Sequence, residues 1–414
     1  MRILHASYSL TSGGAATATR RVCKAQAGYG LHIAAVTMDG AEAQGQYSVR
    51  SIDGFSRRLR SKAESAFLEM ARLRDQNVRS LGVLPGSLPR FVNQSGADVV
   101  NLHWLGGSCM AGWQVGMVRK PVVWRLPDLW PISGALHYPI DFEDLLDAPA
   151  KKALASQWTR RSRLLESLLA KIRRAGLDKP RFVATSNWMR MQMEARAGIA
   201  SGRISDIPNA LPTEIFGCRS KEDARADIGL EIGRPTIGFL SANNAQSVIK
   251  GSHWLSTIIQ KVRSQIPDAV LVTLDNRPST TRVLASHRTA DSLVSLPFTE
   301  SEHELAKYYA AFDVVIVPSV IDAFNQVTAE ALACGTPVVA FNNSGPASLI
   351  LHEQTGLTVN AFDLDAFAES TSWLLNNEAA RSEMGAQARQ YALEKWSYQK
   401  VADSYARLYR SIYM

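Results

Sequence analysis

Short apolar runs alternate with helix-forming stretches from the start of the chain, and about halfway along the pattern begins again. Residues 2–8 are apolar, Gly13-Gly14 interrupts them, 15–27 favour helix, and 31–38 are apolar again. That is a βαβ unit with glycines at the carboxyl end of its first strand. Further apolar runs follow at 98–102, 121–126 and 181–185. After Ile207-Pro208-Asn209 come runs at 235–240, 269–274, 293–296, 314–317 and 337–340, separated by helical stretches at 252–265, 304–311, 329–333 and 365–375. Such alternation requires parallel sheets covered on both faces. The expected architecture is α/β, with two Rossmann-like domains, 1–206 and 207–395, facing a cleft. The last segment, 396–414, carries Val401, Tyr405, Leu408 and Ile412 on one helical face and is expected to rejoin the first domain.

Hydrophobic residues at 46% and charged residues at 20% fit a folded globular chain and exclude disorder. No apolar run approaches the roughly 18 residues of a membrane span. The N-terminus enters a short strand without a basic n-region, so no signal peptide is expected. Cys23, Cys109, Cys218 and Cys334 lie far apart with no C-x-x-C pair, which points to reduced thiols in the cytoplasm. Charge is divided unevenly. Residues 1–205 hold 29 Lys and Arg against 15 Asp and Glu, a net of +14, while 206–414 hold 17 against 23, a net of −6. The basic half is expected to meet something anionic. No nucleic-acid recognition motif accompanies it.

Two Rossmann-like halves place a ligand at the carboxyl ends of their strands. The first glycine loop, Ser12-Gly13-Gly14-Ala15-Ala16, lacks the G-x-G-x-x-G of dinucleotide enzymes, and no G-x-x-x-x-G-K-[ST] segment exists. The strongest signal is Asp322 and Glu330, eight residues apart in Asp322-Ala323-Phe324-Asn325-Gln326-Val327-Thr328-Ala329-Glu330, with Cys334-Gly335-Thr336-Pro337-Val338-Val339 after it. The first acid falls on the loop after an apolar strand and the second inside the next helix. A helix start near Gln326-Val327 offers backbone N–H groups and a positive dipole end to a diphosphate. A carboxylate one turn deeper then suits the hydroxyls of a ribose. The same spacing also fits a structural pair of acids.

This segment resembles the E-x(7)-E and A-C-G-x-P-V-V signature of glycosyltransferase family four, the retaining sugar-nucleotide transferases of GT-B fold, with Asp322 for the first Glu. Gly13-Gly14-Ala15, Ser186-Asn187-Trp188, Ile207-Pro208-Asn209-Ala210, Lys250-Gly251, Ser344-Gly345-Pro346-Ala347 and Thr355-Gly356-Leu357 resemble other family runs in the right order. The resemblance implies that Glu330 binds the ribose, that Asp322 lies beside the donor sugar and that Lys250 neutralises the departing diphosphate. It implies further donor contacts from Gly13, Gly14, Asn243, Phe298, Thr299, Asn325, Gln326 and Val327. The sequence departs from the pattern in three places here. No Arg precedes Lys250 within 240–250, Asp322 is one methylene short, and Asn325 stands for a glycine.

On the acceptor side, Asn101-Leu102-His103-Trp104 and the stretch Trp124 to Gly134 with His137-Tyr138 resemble a polysaccharide-assembly branch of the family, with Pro127 where that branch has His. Asp128 and His137 are expected as catalytic residues there, and His103, Trp104 and Tyr138 as acceptor contacts, because sugars stack on rings and hydrogen-bond at their edges. Asp363-Leu364-Asp365 opens a helical stretch, so capping explains it and no metal is expected. The reading is a retaining, metal-independent hexosyltransferase without a cofactor. Its donor would be UDP- or GDP-linked, its acceptor a glycan or lipid-linked glycan of bacterial surface or exopolysaccharide assembly. It would work in the cytoplasm or on the inner face of the membrane. The basic stretches Arg57, Arg58, Arg60, Lys62 and Lys151, Lys152, Arg160, Arg161, Arg163, Lys171, Arg173, Arg174 would meet that anionic surface, with Leu164, Leu165, Leu168 and Ile172 turned to the core. The alternatives are an inactive sugar-nucleotide binder and a sugar-nucleotide epimerase of the same architecture.

Overall fold

A computed structural model describes residues 1–11, 13–38, 46–52, 54–71, 79–138, 160–241, 248–274 and 292–413. The chain forms two compact units, Met1–Ala210 with Tyr398–Met414, and Leu211–Ser397. The first holds strands β1 (Arg2–Ala6), β2 (His32–Thr37), β3 (Ser48–Ser51), β4 (Val99–Leu102), β5 (Val122–Leu126), β6 (Arg181–Ala184) and β7 (Ile204–Asp206). They make one sheet in the order β3-β2-β1-β4-β5-β6-β7, parallel throughout. The second unit holds β8 (Thr236–Phe239), β9 (Val270–Leu274), β10 (Leu293–Leu296), β11 (Val314–Val317), β12 (Val338–Phe341) and β13 (Gly356–Val359). These form a second parallel sheet, β10-β9-β8-β11-β12-β13.

The central strands read as unbroken apolar runs because both faces are covered: β4, β5, β8, β11 and β12 are buried at every residue. Strand order reverses between β1 and β4 in one sheet and between β8 and β11 in the other. Each reversal opens a crevice at the carboxyl ends, where ligands of such sheets bind. In the second unit the opposite ends of this strand pair are pinned by Asp313. It accepts from the Thr236 backbone N–H at 2.8 Å and pairs with Arg225 at 2.8 Å and Lys221 at 2.7 Å.

The units divide a few residues away from where the sequence pattern placed the boundary. Ile207 and Ala210 pack in the first core with Val401, Tyr405 and Tyr409, so the crossing follows Ala210 rather than residue 206. Trp396, read from sequence as the start of the last helix, ends the helix Glu378–Trp396 and is buried in the second core, edge-on to Phe324 at 6.3 Å. The returning helix is Tyr398–Tyr413.

Candidate active site

In the second unit, Lys250 and Asp322 meet at the β8/β11 reversal. Lys250 Nζ lies 2.5 Å from Asp322 Oδ2, although 72 residues separate them. Two backbone contacts bring them together. Gly251 has φ +72°, and a Cβ there would stand 1.8 Å from the Pro318 carbonyl oxygen, so only glycine lets the turn after Lys250 press on the end of β11. The Val320 N–H then donates to the Ile249 carbonyl at 2.8 Å. Beyond Asp322, Gly345 donates to the Asp322 carbonyl at 2.8 Å and leaves no room for a Cβ, which would sit 2.4 Å from Ala323 C.

The helix Gln326–Ala333 starts directly above this pair. Its N-cap is Asn325, at φ +72°, a conformation that Asn tolerates better than other non-glycine residues. The substitution for glycine is put to use. Asn325 Oδ1 accepts from the Thr328 N–H at 2.9 Å, and its Nδ2 donates to Asp322 Oδ2 at 3.1 Å. One side chain therefore caps the helix and steadies the carboxylate. Gln326 and Val327 occupy the first turn, half-buried, at the positive end of the helix dipole. Glu330 follows in the second turn, 5% exposed, and its Oε2 accepts from the Tyr309 hydroxyl at 2.7 Å. Asp322 and Glu330 thus bond to different partners. Phe298 and Thr299 lie half-buried past the end of β10, two strands out from β8. Asn243 lies outside the described residues. Asp363 accepts from the Ala366 N–H at 2.9 Å as a helix cap.

In the first unit, the β1/β4 reversal carries Gly13 and Gly14 at the start of the helix Gly14–Gly28, with no atom within 4 Å of a Cβ built on either. Just past the ends of β1 and β4 stands an aromatic pair that the sequence reading half missed: Trp104 and Tyr8, both half-buried, meet edge to face at 5.3 Å. Tyr8 was legible as an aromatic between the first strand and the glycine loop. The Arg57 guanidinium lies 5.3 Å from the Tyr8 ring centroid.

Asp128 and His137, read from sequence as catalytic, form a buried array beneath Trp104, 5% and 3% exposed. Asp128 Oδ2 accepts from Trp104 Nε1 at 2.7 Å and lies 2.5 Å from His137 Nδ1, while its Oδ1 accepts from the Trp130 N–H at 3.0 Å. His137 Nε2 is 3.0 Å from Ser80 Oγ, which also accepts from the Gly107 N–H at 3.0 Å. A carboxylate only accepts, so the His137 nitrogen facing Asp128 carries a hydrogen. This array sets the plane of Trp104 and offers no exposed base.

His103 also departs from its expected acceptor role, since it is fully buried. Its Nε2 is 2.8 Å from His5 Nδ1, His5 Nε2 is 3.1 Å from Gln26 Oε1, and Arg125, beside His103, bonds Asn209. Burial pulls His5 down to about 4, against the raising effect of its Gln26 bond and with help from Arg125. Burial, then the neighbouring His5 and Arg125, holds His103 well below the usual imidazole range. Both rings are neutral at pH 7. Tyr138 remains half-buried, its hydroxyl 3.5 Å from the Pro127 carbonyl.

The basic stretches divide on folding. On the helix Arg160–Arg174, Arg163, Lys171 and Arg174 are exposed, but Arg173 is 1% exposed and bonded to four carbonyls, so it cannot meet a surface. Leu165 and Ile172 pack on the cluster of Leu81, Ala135 and Leu169, whereas Leu164 and Leu168, expected in the core, are 65% and 56% exposed. Lys151 and Lys152 lie outside the described residues.

Residues 234–377 match the family model for glycosyl transferases group 1. The chain is 28% identical over 351 residues to the D-inositol 3-phosphate glycosyltransferase of Corynebacterium urealyticum, covering 80% of this chain and 76% of that protein. It spans only about half the length of three further relatives of that name. Among solved structures, sucrose-phosphate synthase from Thermosynechococcus elongatus superposes with a TM-score of 0.74 at 18% identity, over 100% of this chain and 99% of that one. Anabaena HepE in complex with UDP-glucose gives 0.66 at 17% identity, over 99% and 100%. Two parallel α/β units with these strand orders share the GT-B fold of those solved structures. The likeness to the glycosyl transferases group 1 lies in residues 234–377.

Proposed function

We propose that the chain moves a hexosyl unit from a UDP- or GDP-linked sugar to a hydroxyl of a polyol or glycan acceptor, with retention of anomeric configuration. The observation that carries this reading is the Lys250–Asp322–Asn325 cluster under a helix N-terminus at the β8/β11 reversal. The helix start and Lys250 take the diphosphate, Glu330 the ribose, and Asp322 the sugar hydroxyls. The bond from C1 to the diphosphate oxygen breaks through an oxocarbenium-like state, as in other glycosyl transfers. The acceptor oxygen bonds C1 on the same face, and its proton passes to the departing phosphate oxygen. Lys250 balances the charge that grows there. Trp104 and Tyr8 offer the acceptor ring a stacking surface.

The test is a thermal-shift panel of UDP- and GDP-sugars, followed by NMR of the anomer formed with a polyol acceptor. A donor at 100 times its dissociation constant adds about 2.7 kcal/mol of stability. If no sugar nucleotide shifts the melting temperature, or the product is inverted, the reading is wrong.

The same reading places the acceptor at an anionic membrane surface. The helices Gly54–Met70 and Arg160–Arg174 both rest on the Leu81–Ala135–Leu169 cluster, through Leu68 and through Leu165 and Ile172. Outside it they expose Leu59, Phe67, Met70, Leu164 and Leu168 among the exposed Arg58, Lys62, Arg163, Lys171 and Arg174. Exposed leucines between cations suit a headgroup boundary, at about 1 kcal/mol per basic residue. Among the described residues no helix is long and apolar enough to cross a membrane. The protein is expected to co-sediment with anionic vesicles at low salt, to release as salt rises, and to weaken on Leu164→Ser with Leu168→Ser. Equal binding to neutral vesicles, or none to anionic ones, would remove the membrane from the reading.

A further inference from the structure

Glu330 would be poorly suited to a ribose if it were loose. A glutamate carries three side-chain torsions, and accepting two adjacent hydroxyls requires its carboxylate plane to be set beforehand. The structure shows what sets it. Tyr309, 1% exposed on the helix Glu302–Ala311, donates its hydroxyl to Glu330 Oε2 at 2.7 Å. Its own backbone is fixed to the far end of the Glu330 helix, because Thr336 Oγ1 donates to the Tyr309 carbonyl at 2.7 Å. Its ring packs at 6.2 Å from Phe216 in the core. Tyr309 is thus tied to the carboxylate at one end and, at the other, to the turn that follows the Glu330 helix. The adjacent Tyr308 is aimed elsewhere, its hydroxyl donating to the Pro297 carbonyl at 3.2 Å.

We propose that Tyr309 is the positioning residue for Glu330, holding its carboxylate in the geometry that accepts the ribose hydroxyls and so making the site selective for ribose over deoxyribose nucleotides. This rests on the ribose assignment of Glu330 made above. A hydroxyl bonded to a carboxylate oxygen restricts its rotation, and that restraint is lost when the hydroxyl alone is removed.

The experiment measures dissociation constants of UDP and GDP and of their 2′-deoxy analogues for the full chain and for Tyr309→Phe, Glu330→Gln and the double variant. Phe keeps the ring packing, and the melting temperature of the nucleotide-free variant checks that the fold is retained. Tyr309→Phe is expected to weaken the ribonucleotide about five- to tenfold, the scale of one hydrogen bond to a charged group, and to weaken the deoxy analogue less, since it keeps only its 3′ hydroxyl for the carboxylate, so discrimination narrows. The double variant is expected to lose no more than Glu330→Gln alone. Equal weakening of both nucleotides, or a fall in melting temperature with discrimination intact, would make Tyr309 a packing residue and overturn the proposal. If Glu330→Gln itself leaves discrimination intact, the ribose assignment fails first, and that result is distinguishable from failure of Tyr309 alone.

Discussion

Lys250→Ala is expected to lower turnover by about 100-fold or more, the scale of removing one preorganised contact to charge that develops in the transition state. The preorganisation is visible in the contacts around the ammonium. The ammonium is held 2.5 Å from Asp322 Oδ2, and the Gly251–Pro318 approach and the Val320–Ile249 bond hold its backbone. Little has to move when the diphosphate arrives, so the loss should fall on kcat more than on KM. Lys250→Arg should recover only part of the rate, because a planar fork cannot replace a point charge in a turn this tight. Asp322→Asn should behave differently. It removes the negative charge that Lys250 now neutralises, so free nucleoside diphosphate should bind no worse while transfer falls. Steady-state kinetics with the donor found in the thermal panel decide the matter. Near-normal turnover in Lys250→Ala would place the phosphate clamp elsewhere.

The fold was legible because buried parallel strands leave a mark that survives without partners. Val314–Val317 and Val338–Phe341 are apolar at every position, since no face of them meets water. Motif spacing brought Asp322, Asn325 and Glu330 together for the same local reason: they lie within one loop and helix, and chain distance there is spatial distance. What joins them to the rest is not local. The Lys250–Asp322 bond spans 72 residues and Tyr309–Glu330 spans 21, each closed by a strand crossover that no periodicity records. Asn325 looked like a plain departure from glycine until its two hydrogen bonds could be seen. Burial was the other blind spot. His103 and Trp104 are consecutive at the end of β4, yet one is sealed against His5 and the other is half-buried against Tyr8, because side chains alternate across a strand end. In the helix Arg160–Arg174, the sequence pattern put Leu164, Leu165, Leu168 and Ile172 on one inward face, but only Leu165 and Ile172 of these pack on the cluster.

Arg173 shows how far a basic run can mislead, and its removal should give the largest stability change of any residue in that run. Its NH1 donates to the carbonyls of Trp130 and Ser133 at 3.1 and 2.8 Å, and its NH2 to those of Ser80 and Leu81 at 3.0 and 2.6 Å. The guanidinium also lies 4.1 Å from the centroid of the Trp130 ring. It therefore fastens two loops, 80–81 and 130–133, that carry Ser80 and the segment under Trp104 and His137. Arg173→Met keeps much of the apolar stem but takes a donor from four buried carbonyls, of which those of Ser80 and Trp130 keep one from Trp130 Nε1 and the Ser133 N–H. By the scale for breaking a buried charged network, the cost should be about 3–5 kcal/mol. Arg173→Lys retains a charge, yet three donors on a tetrahedral head cannot serve four carbonyls arranged for a planar fork, so it should recover only part of the loss. Arg174→Met, one residue on and exposed, is the control, expected within about 0.5 kcal/mol of the parent. Urea unfolding followed by tryptophan fluorescence reads all three variants, since Trp104, Trp113, Trp124 and Trp130 lie in this unit. A loss below about 1 kcal/mol for Arg173→Met would show that water replaces the guanidinium in those four bonds, and that the Trp104 surface stands without it.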